Sequence, residues 1–316
     1  MGEPLVTVII CAYNAGTYLK PSLESVLAQS YEHIEILVVD DGSSDGSTAW
    51  LHEIQDSRIR VLTQENSGKP IALNRALSEM NGEFYAVHDA DDISHPHRIE
   101  RQLDCFLREE DLAAVFCGND VVLGEKHHAP RFRPKGRTAC RADIENFRMP
   151  ALDPTGMYRM SKVGQMRYDT SLPVVEGFDY ILRVGEQYPI VVLGECLYSY
   201  RIHGESITKK DPGRRTKLVW QLRRQACARR GVSFDEAFPD EGKTVENSRV
   251  RDNGIASHFM ESVVDLRGAG RWMEAMHAGM DCARLCPTEL HYYKALLYAF
   301  MPEWLRRRVR PSERAL

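Results

Sequence analysis

Residues 36–48 read ILVVDDGSSDGST: four apolar residues run into Asp40 and Asp41, then into a glycine-serine turn. A short apolar run rich in Val and Ile, bounded by turn residues, is a buried strand and too short for a helix. The stretch therefore delivers two adjacent carboxylates at the carboxyl end of a strand. The flanking sequence repeats the device. Leu5 to Cys11 is another such strand, running into Cys11-Ala12-Tyr13-Asn14, and GEFYAVHDADD (82–92) ends in Asp89-Ala90-Asp91-Asp92. Apolar residues at helical spacing (Leu19, Leu23, Val26, Leu27) predict a helix over Tyr18–Ala28. Further helices are expected over Ser47–Ile54, 70–80 (PIALNRALSEM) and Pro96–Leu107, and further strands at 58–63 and 112–123. Strands alternating with helices predict an α/β fold, a mostly parallel sheet with helices on both faces.

In such a sheet, ligands bind beyond the carboxyl ends of the strands. If the sheet is parallel, the three polar ends converge on one edge, as a pocket holding the Tyr13 ring and at least four acids. Crowded acids need a cation, a proton or a donor-rich ligand. Phosphate cradles do not fit. The turn after the first strand has no GxGxxG, and NSGKP (66–70) lacks the earlier glycine of a P-loop and has Pro70 in place of Ser or Thr. What remains is a nucleotide held through Mg²⁺ or Mn²⁺, with carboxylate oxygens on the ion and the ion on a diphosphate.

Beyond residue 123 the rhythm loosens: loops with a short helix near Asp143–Phe147, a helix over Glu176–Gln187, strands at Ile190–Leu193 and Leu197–His203, then polar residues over 204–216. From Lys217 the pattern is helical, interrupted by FPDEGK (238–243). The expected division is a domain over 1–216 and a C-terminal helical region over 217–316.

Composition narrows the class. The 316 residues are 43% apolar and 27% charged, enough for a sizeable core. A net charge of -4 supplies no basic field, so no nucleic-acid partner is expected. No apolar run approaches the ~18 residues of a membrane span. MGEPLVTVII lacks the basic start and small-residue cleavage site of a secretory signal. The eight cysteines have no zinc-site spacing and read as reduced core thiols, so the expected compartment is cytoplasmic.

Five stretches taken in order carry a resemblance: residues 6–47, NSGKPIALNRAL (66–77), HDADD (88–92), VEGFDYILR (175–183) and LYSYRIHGESIT (197–208). Over about residues 4–208 the chain resembles a family 2 glycosyltransferase of the GT-A fold. The resemblance implies a metal-dependent, inverting transfer of sugar from a nucleoside-diphosphate sugar, a UDP-sugar first. The acceptor would be a glycan or lipid-linked hydroxyl in cell-surface polysaccharide synthesis. It further implies that Cys11, Ala12 and Tyr13 line the base pocket, with the Tyr13 ring against a pyrimidine. Asp41, beside Asp40, would accept the base N–H. Asp89 and Asp91 would form the DxD pair flanking Ala90, with Asp91 on the metal and Asp89 near ribose and metal. Lys69 and Asn74 would approach ribose and phosphates, and His203 the metal or diphosphate.

At one point the sequence departs from this pattern. The family usually opens a helix with a Glu-Asp pair whose Asp is the base, whereas here the stretch is Glu176-Gly177-Phe178-Asp179. Glu176 or Asp179, three apart on one helix face, is expected to substitute, Glu176 being nearer the cleft. Gly177 alone favours a catalytically silent nucleotide-sugar-binding relative. A sugar-1-phosphate nucleotidyltransferase shares the sheet type but carries a glycine-rich loop after the first strand, which CAYNAGTYLK (11–20) is not. The tail LHYYKALLYAFMPEWLRRRVR (290–310) fits either a helix packed on the protein or an interfacial segment, with Arg306, Arg307, Arg308 and Arg310 on anionic lipid.

Overall fold

The structure, a computed structural model, describes residues 2–123, 127–202, 212–239, 254–285, 287 and 293–306. Val6–Ala12 (β1) and Ile34–Asp40 (β2) are buried along nearly their whole length, so they read as continuous apolar runs rather than alternating ones. Between them Leu19–Leu27 (α1) turns Leu19, Leu23 and Val26 inward. Ile59–Thr63 (β3), Lys69–Glu79 (α2) with Pro70 in its first turn, Phe84–Asp89 (β4), Ile93–Ser94 (β5) and Arg98–Arg108 (α3) follow. β1 pairs in parallel with β2 and β4, and β2 in parallel with β3.

The chain continues through Ala114–Leu123 (β6), His127–Arg131 (β7), Arg137–Glu145 (α4), Gly156–Arg159 (β8), Met160–Val163 (α5), Glu176–Gln187 (α6) and Ile190–Ile202 (β9). Among the described residues the strand order is β3-β2-β1-β4-β8-β6-β9-β5. Successive residues of the central strands face opposite sides of the sheet. Ile9, Leu37, Val39 and Tyr85 join the cluster with Leu73 of α2, Ile144 of α4 and Ile181 of α6. Val8, Ile10, Ile36 and Val38 join the one with Leu23 of α1 and Leu103 of α3. The expected helix-covered sheet, mostly parallel at its centre, is what forms.

Several elements differ from expectation. Residues 47–54 form only a short 3-10 helix, Ala49–Glu53, because Ser47 and Thr48 are tied by side-chain hydrogen bonds to Asp45 and Asp40. The two strands expected between 190 and 203 are one, β9. β8 was not expected at all: its four residues insert between β4 and β6, antiparallel to both.

The chain divides into two compact units. The first, Met1–Asn119 with Phe132–Ser248, runs past residue 216: Pro212–Arg230 (α7) buries Leu222, Ala226 and Cys227 in the same cluster as α6, and Phe234–Ala237 (α8) follows. The second unit, Asp120–Arg131 with Arg249–Leu316, contains β7 and the helices Gly254–Gly268 (α9), Trp272–Leu285 (α10), Tyr293–Phe300 (α11) and Glu303–Arg306 (α12). α10 and α11 meet closely at Gly279, where a Cβ would come within 2.8 Å of the Leu296 Cα. Among the described residues no helix is long and apolar enough to cross a membrane.

Candidate active site

The parallel register sets the strand ends level. Ala12 lies opposite Asp40, Cys11 opposite Asp89, and Asp40 opposite Thr63. The loops beyond them interlock. Asn14 Oδ1 accepts the Ser44 N–H at 2.8 Å, and Asp45 accepts the Gly16 N–H at 3.0 Å. Asp40 closes its own turn, accepting the Ser43 N–H at 2.9 Å and the Thr48 hydroxyl at 2.7 Å.

Asp41 reaches across to the loop before α2. Its Oδ1 accepts Gln64 Nε2 at 2.7 Å and the Ser67 N–H at 2.9 Å, and its Oδ2 accepts the Gly68 N–H at 2.8 Å. Gly68 has φ +92°, a backbone state that glycine tolerates and that turns the chain into α2. A carboxylate offers about four acceptor positions; with three filled, Asp41 Oδ2 retains one. The next residue, Lys69, opens α2 and donates from Nζ to Asp89 Oδ1 at 2.5 Å. The Asp89 N–H in turn donates to the Tyr198 hydroxyl at 3.0 Å. Burial opposes the charge on Lys69, but Asp89, Glu176 and Asp153 outweigh it and hold the ammonium well above its ordinary pKa. Cys11 lies in the same field, its thiol pushed up by burial while Lys69 opposes the shift.

Asp89, Asp91 and Asp92 can bring one oxygen each to within 4.8 Å of one another. Asp92 is fully buried; its Oδ1 accepts the Arg201 N–H at 2.7 Å and its Oδ2 has no hydrogen-bond partner. Burial, then the charges of Asp89 and Asp91, push its pKa well up. Hard oxygens converging beside an orphaned carboxylate oxygen fit a divalent cation. HDADD contains all three acids, and the resemblance assigns no role to Asp92.

A second group of acids stands at the start of α6. Glu176, 5% exposed, has Oε1 3.8 Å from Lys69 Nζ and an unpartnered, buried Oε2. Burial raises its pKa, with Lys69 opposing. Asp179, 2% exposed, is ion-paired with Arg183 at 2.6 Å and Arg229 at 3.6 Å. Between the two, Gly177 is packed against Asp153: a Cβ at 177 would stand 2.6 Å from the Asp153 Cγ and 2.7 Å from its Oδ2. Asp153 Oδ1 accepts the Tyr158 hydroxyl at 2.7 Å, while Oδ2 is buried without a partner. Burial pushes the Asp153 pKa up to about 6, against the pull of Lys69. Nothing in the sequence singled out Asp153, because an Asp-Pro pair in a loop reads as a turn.

The remaining candidates divide. Tyr13 is 48% exposed at the end of β1, and Ala12 and Ala90 are buried beside the strand ends. Asn74 has both ends of its amide on the Tyr168 backbone, at 2.9 and 2.8 Å. His203 lies outside the described residues.

A family model described as Glycosyl transferase family 2 matches residues 7–163. The Bacillus subtilis (strain 168) protein named "Putative teichuronic acid biosynthesis glycosyltransferase TuaG" is 30% identical over 228 residues, 71% of this chain and 88% of its own length. Uncharacterized glycosyltransferases of Rickettsia conorii and Rickettsia felis are each 29% identical over 65% and 66% of this chain, which spans only 35% and 36% of their length. Among solved structures, S. aureus TarS 1–349 in complex with UDP-GlcNAc has a TM-score of 0.60 at 17% identity, covering 82% of this chain and 80% of that one. Its complex with UDP has a TM-score of 0.56 at 17% identity, over 97% and 92%. At that identity the likeness is one of fold.

Proposed function

The chain belongs to glycosyl transferase family 2, and from that premise we propose that it is a metal-dependent, inverting glycosyltransferase using a UDP-sugar. The observation that carries this reading is the level strand edge, where Cys11 lies opposite Asp89, Lys69 pairs with Asp89, and Asp89 clusters with Asp91 and Asp92. The fold likeness to TarS, solved with UDP and UDP-GlcNAc, supports the choice of UDP. The name of TuaG and the UDP-GlcNAc bound to TarS favour a hexosyl or N-acetylhexosaminyl transfer in cell-surface polysaccharide synthesis.

Each residue then has a task. Cys11 and Ala12 wall the base pocket, and the Tyr13 ring stacks on a pyrimidine. Asp41 uses the acceptor position left on Oδ2 for the base N–H, while Asp40 keeps the loop closed around it. Lys69 orients Asp89 and would offer its ammonium to a diphosphate oxygen. Asp89, Asp91 and Asp92 would hold Mg²⁺ or Mn²⁺; the ion, when bound, neutralises the diphosphate as it leaves. A carboxylate near Lys69 receives the acceptor's proton. Of the two that the sequence offered, Glu176 lies beside Lys69 and Asp179 is engaged by Arg183 and Arg229.

The acceptor is a glycan or lipid-linked hydroxyl. In the second unit Trp272, Met273, Leu297, Phe300 and Trp304 are exposed, which favours peripheral contact with an anionic membrane from the cytoplasmic side. Gly177 favours a second reading, a relative that binds the donor without turning it over.

A donor panel tests the reading. The chain is incubated with UDP-, GDP- and dTDP-sugars and Mn²⁺, and release of nucleoside diphosphate is followed. Release from a UDP-sugar, abolished by EDTA, is expected; UDP binding without release from any donor would favour the silent relative.

A further inference from the structure

Transfer to a hydroxyl frees a proton that a positioned carboxylate has to take. Resting on the glycosyl-transfer reading of this site, we propose that the proton goes to Asp153 Oδ2, and that Gly177 exists to make room for it. Gly177 is the second residue of α6 and is buried. The space into which a side chain at 177 would point is filled by the Asp153 carboxyl group, whose Cγ and Oδ2 lie 2.6 and 2.7 Å from the place of the missing Cβ. Any larger residue at 177 would expel that group. The acid that the helix lacks at its second position is delivered to the same volume from the turn before β8.

The hydrogen bonding of Asp153 is that of a group waiting for a donor. Tyr158 fixes Oδ1, while Oδ2 is buried and bonded to nothing. A buried polar atom left so bears an uncompensated desolvation cost. Among the described residues the other unpartnered buried carboxylates of this edge are Asp92 and Glu176, whereas an acid remote from it is satisfied. Glu35, buried at the opposite end of the sheet, accepts from the Thr7 hydroxyl, Arg60, and both the backbone and side-chain nitrogens of Asn81. A sugar hydroxyl docking at Asp153 supplies the missing donor and presents the proton to be taken. The fields of Lys69, Glu176 and Asp89 all act on Asp153, so it belongs to this site and not to a remote core. Glu176 keeps Lys69 near its own Oε1 and serves as a neighbouring charge. Asp179 is committed to two arginines.

The step balances without a further reactant. A lone pair of the acceptor oxygen forms the bond to the anomeric carbon as the bond from that carbon to the diphosphate oxygen breaks. The bonding pair leaves on the nucleoside diphosphate. The hydroxyl proton passes to Asp153 Oδ2, and then to water once product has left.

The test compares kcat, donor KM and UDP affinity in the full chain with Mn²⁺ and the UDP-sugar it turns over. Asp153→Asn keeps the shape and should lower kcat by ~10²–10⁴ with donor KM and UDP affinity nearly unchanged. Gly177→Ala, which displaces the carboxyl group while leaving Asp153 in the sequence, should also lower kcat. The exchange variant Asp153→Gly/Gly177→Asp returns a carboxylate to the same volume from the helix. It should regain at least tenfold over Asp153→Gly, a recovery that a merely structural aspartate would not give. Full kcat in Asp153→Asn, with loss in Glu176→Gln, would overturn the proposal and assign the proton to Glu176. Parallel loss of kcat and UDP affinity in Asp153→Asn, with no recovery in the exchange variant, would overturn it in favour of a structural role. A wild-type chain that binds no UDP and consumes no donor would refute glycosyl transfer itself, and the role of Asp153 with it.

Discussion

Removing the Asp41 carboxylate should loosen one loop and blind the pocket to its base. In Asp41→Ala the loop 64–68 loses the acceptor of three hydrogen bonds, 2.7–2.9 Å long, from Gln64, Ser67 and Gly68. Hydrogen bonds to a charged group contribute about 1.5–3 kcal/mol each. The sum overstates the loss, because these donors lie in a partly exposed loop and regain water. A destabilisation of about 2–4 kcal/mol follows, or about 3–6 °C in Tm for a chain of this size. The same loop ends at Lys69, so the bond to Asp89 loses its fixed anchor. Thermal unfolding gives the first quantity. Calorimetric titration with uridine and with UDP separates the functional consequences: if Asp41 accepts the base N–H, both ligands weaken together. An unchanged Tm would refute the anchoring role. Retained uridine binding with loss of UDP alone would show that Asp41 acts on the diphosphate side, through Lys69, and does not read the base.

Asp179→Asn should lower stability by about 1–3 kcal/mol, since Arg183 and Arg229 lose a buried partner but remain partly in contact with water; a loss of transfer at unchanged stability would place Asp179 in the chemistry. Asp153 binds its proton more tightly in the folded chain, with its pKa raised from 3.8 to about 6. Its contribution to stability is therefore full below about pH 4 and is lost as pH rises through about 6, a change of about 3 kcal/mol. Urea unfolding should show wild type losing stability relative to Asp153→Asn across that interval, and a constant difference would contradict the shift. The exposed Leu297, Phe300 and Trp304 should carry the full chain up with anionic liposomes in a flotation gradient, whereas a chain ending near residue 286 should stay behind; equal recovery would exclude the membrane role.

Continuous apolar runs were legible. β1, β2 and β4 are apolar stretches that stop at polar residues, the last two at acids, so a parallel sheet and the convergence of Cys11, Asp40 and Asp89 on one edge could be anticipated. What was not legible depends on contacts between distant segments. β8 has four residues and no pattern, yet it brings in the turn that carries Asp153. That Gly177 and Asp153 share one volume is a property of packing, and spacing along the chain holds no trace of it. The resemblance sets Asn74 near ribose and phosphates, and only the folded chain reveals that its amide clamps the Tyr168 backbone. For Asp40 the reverse holds: a carboxylate at the strand end also does the local work of capping its turn, as acids before Gly-Ser often do.

A metal-held diphosphate makes UDP binding depend on a divalent cation and on the strand-end acids. Calorimetry is run with UDP and Mn²⁺, with UDP and EDTA, and with UDP and Mn²⁺ on Asp91→Asn. Binding is expected in the first case and at least tenfold weaker binding in the other two, about 1.4 kcal/mol or more. Equal UDP affinity in all three would contradict a metal site at Asp89, Asp91 and Asp92.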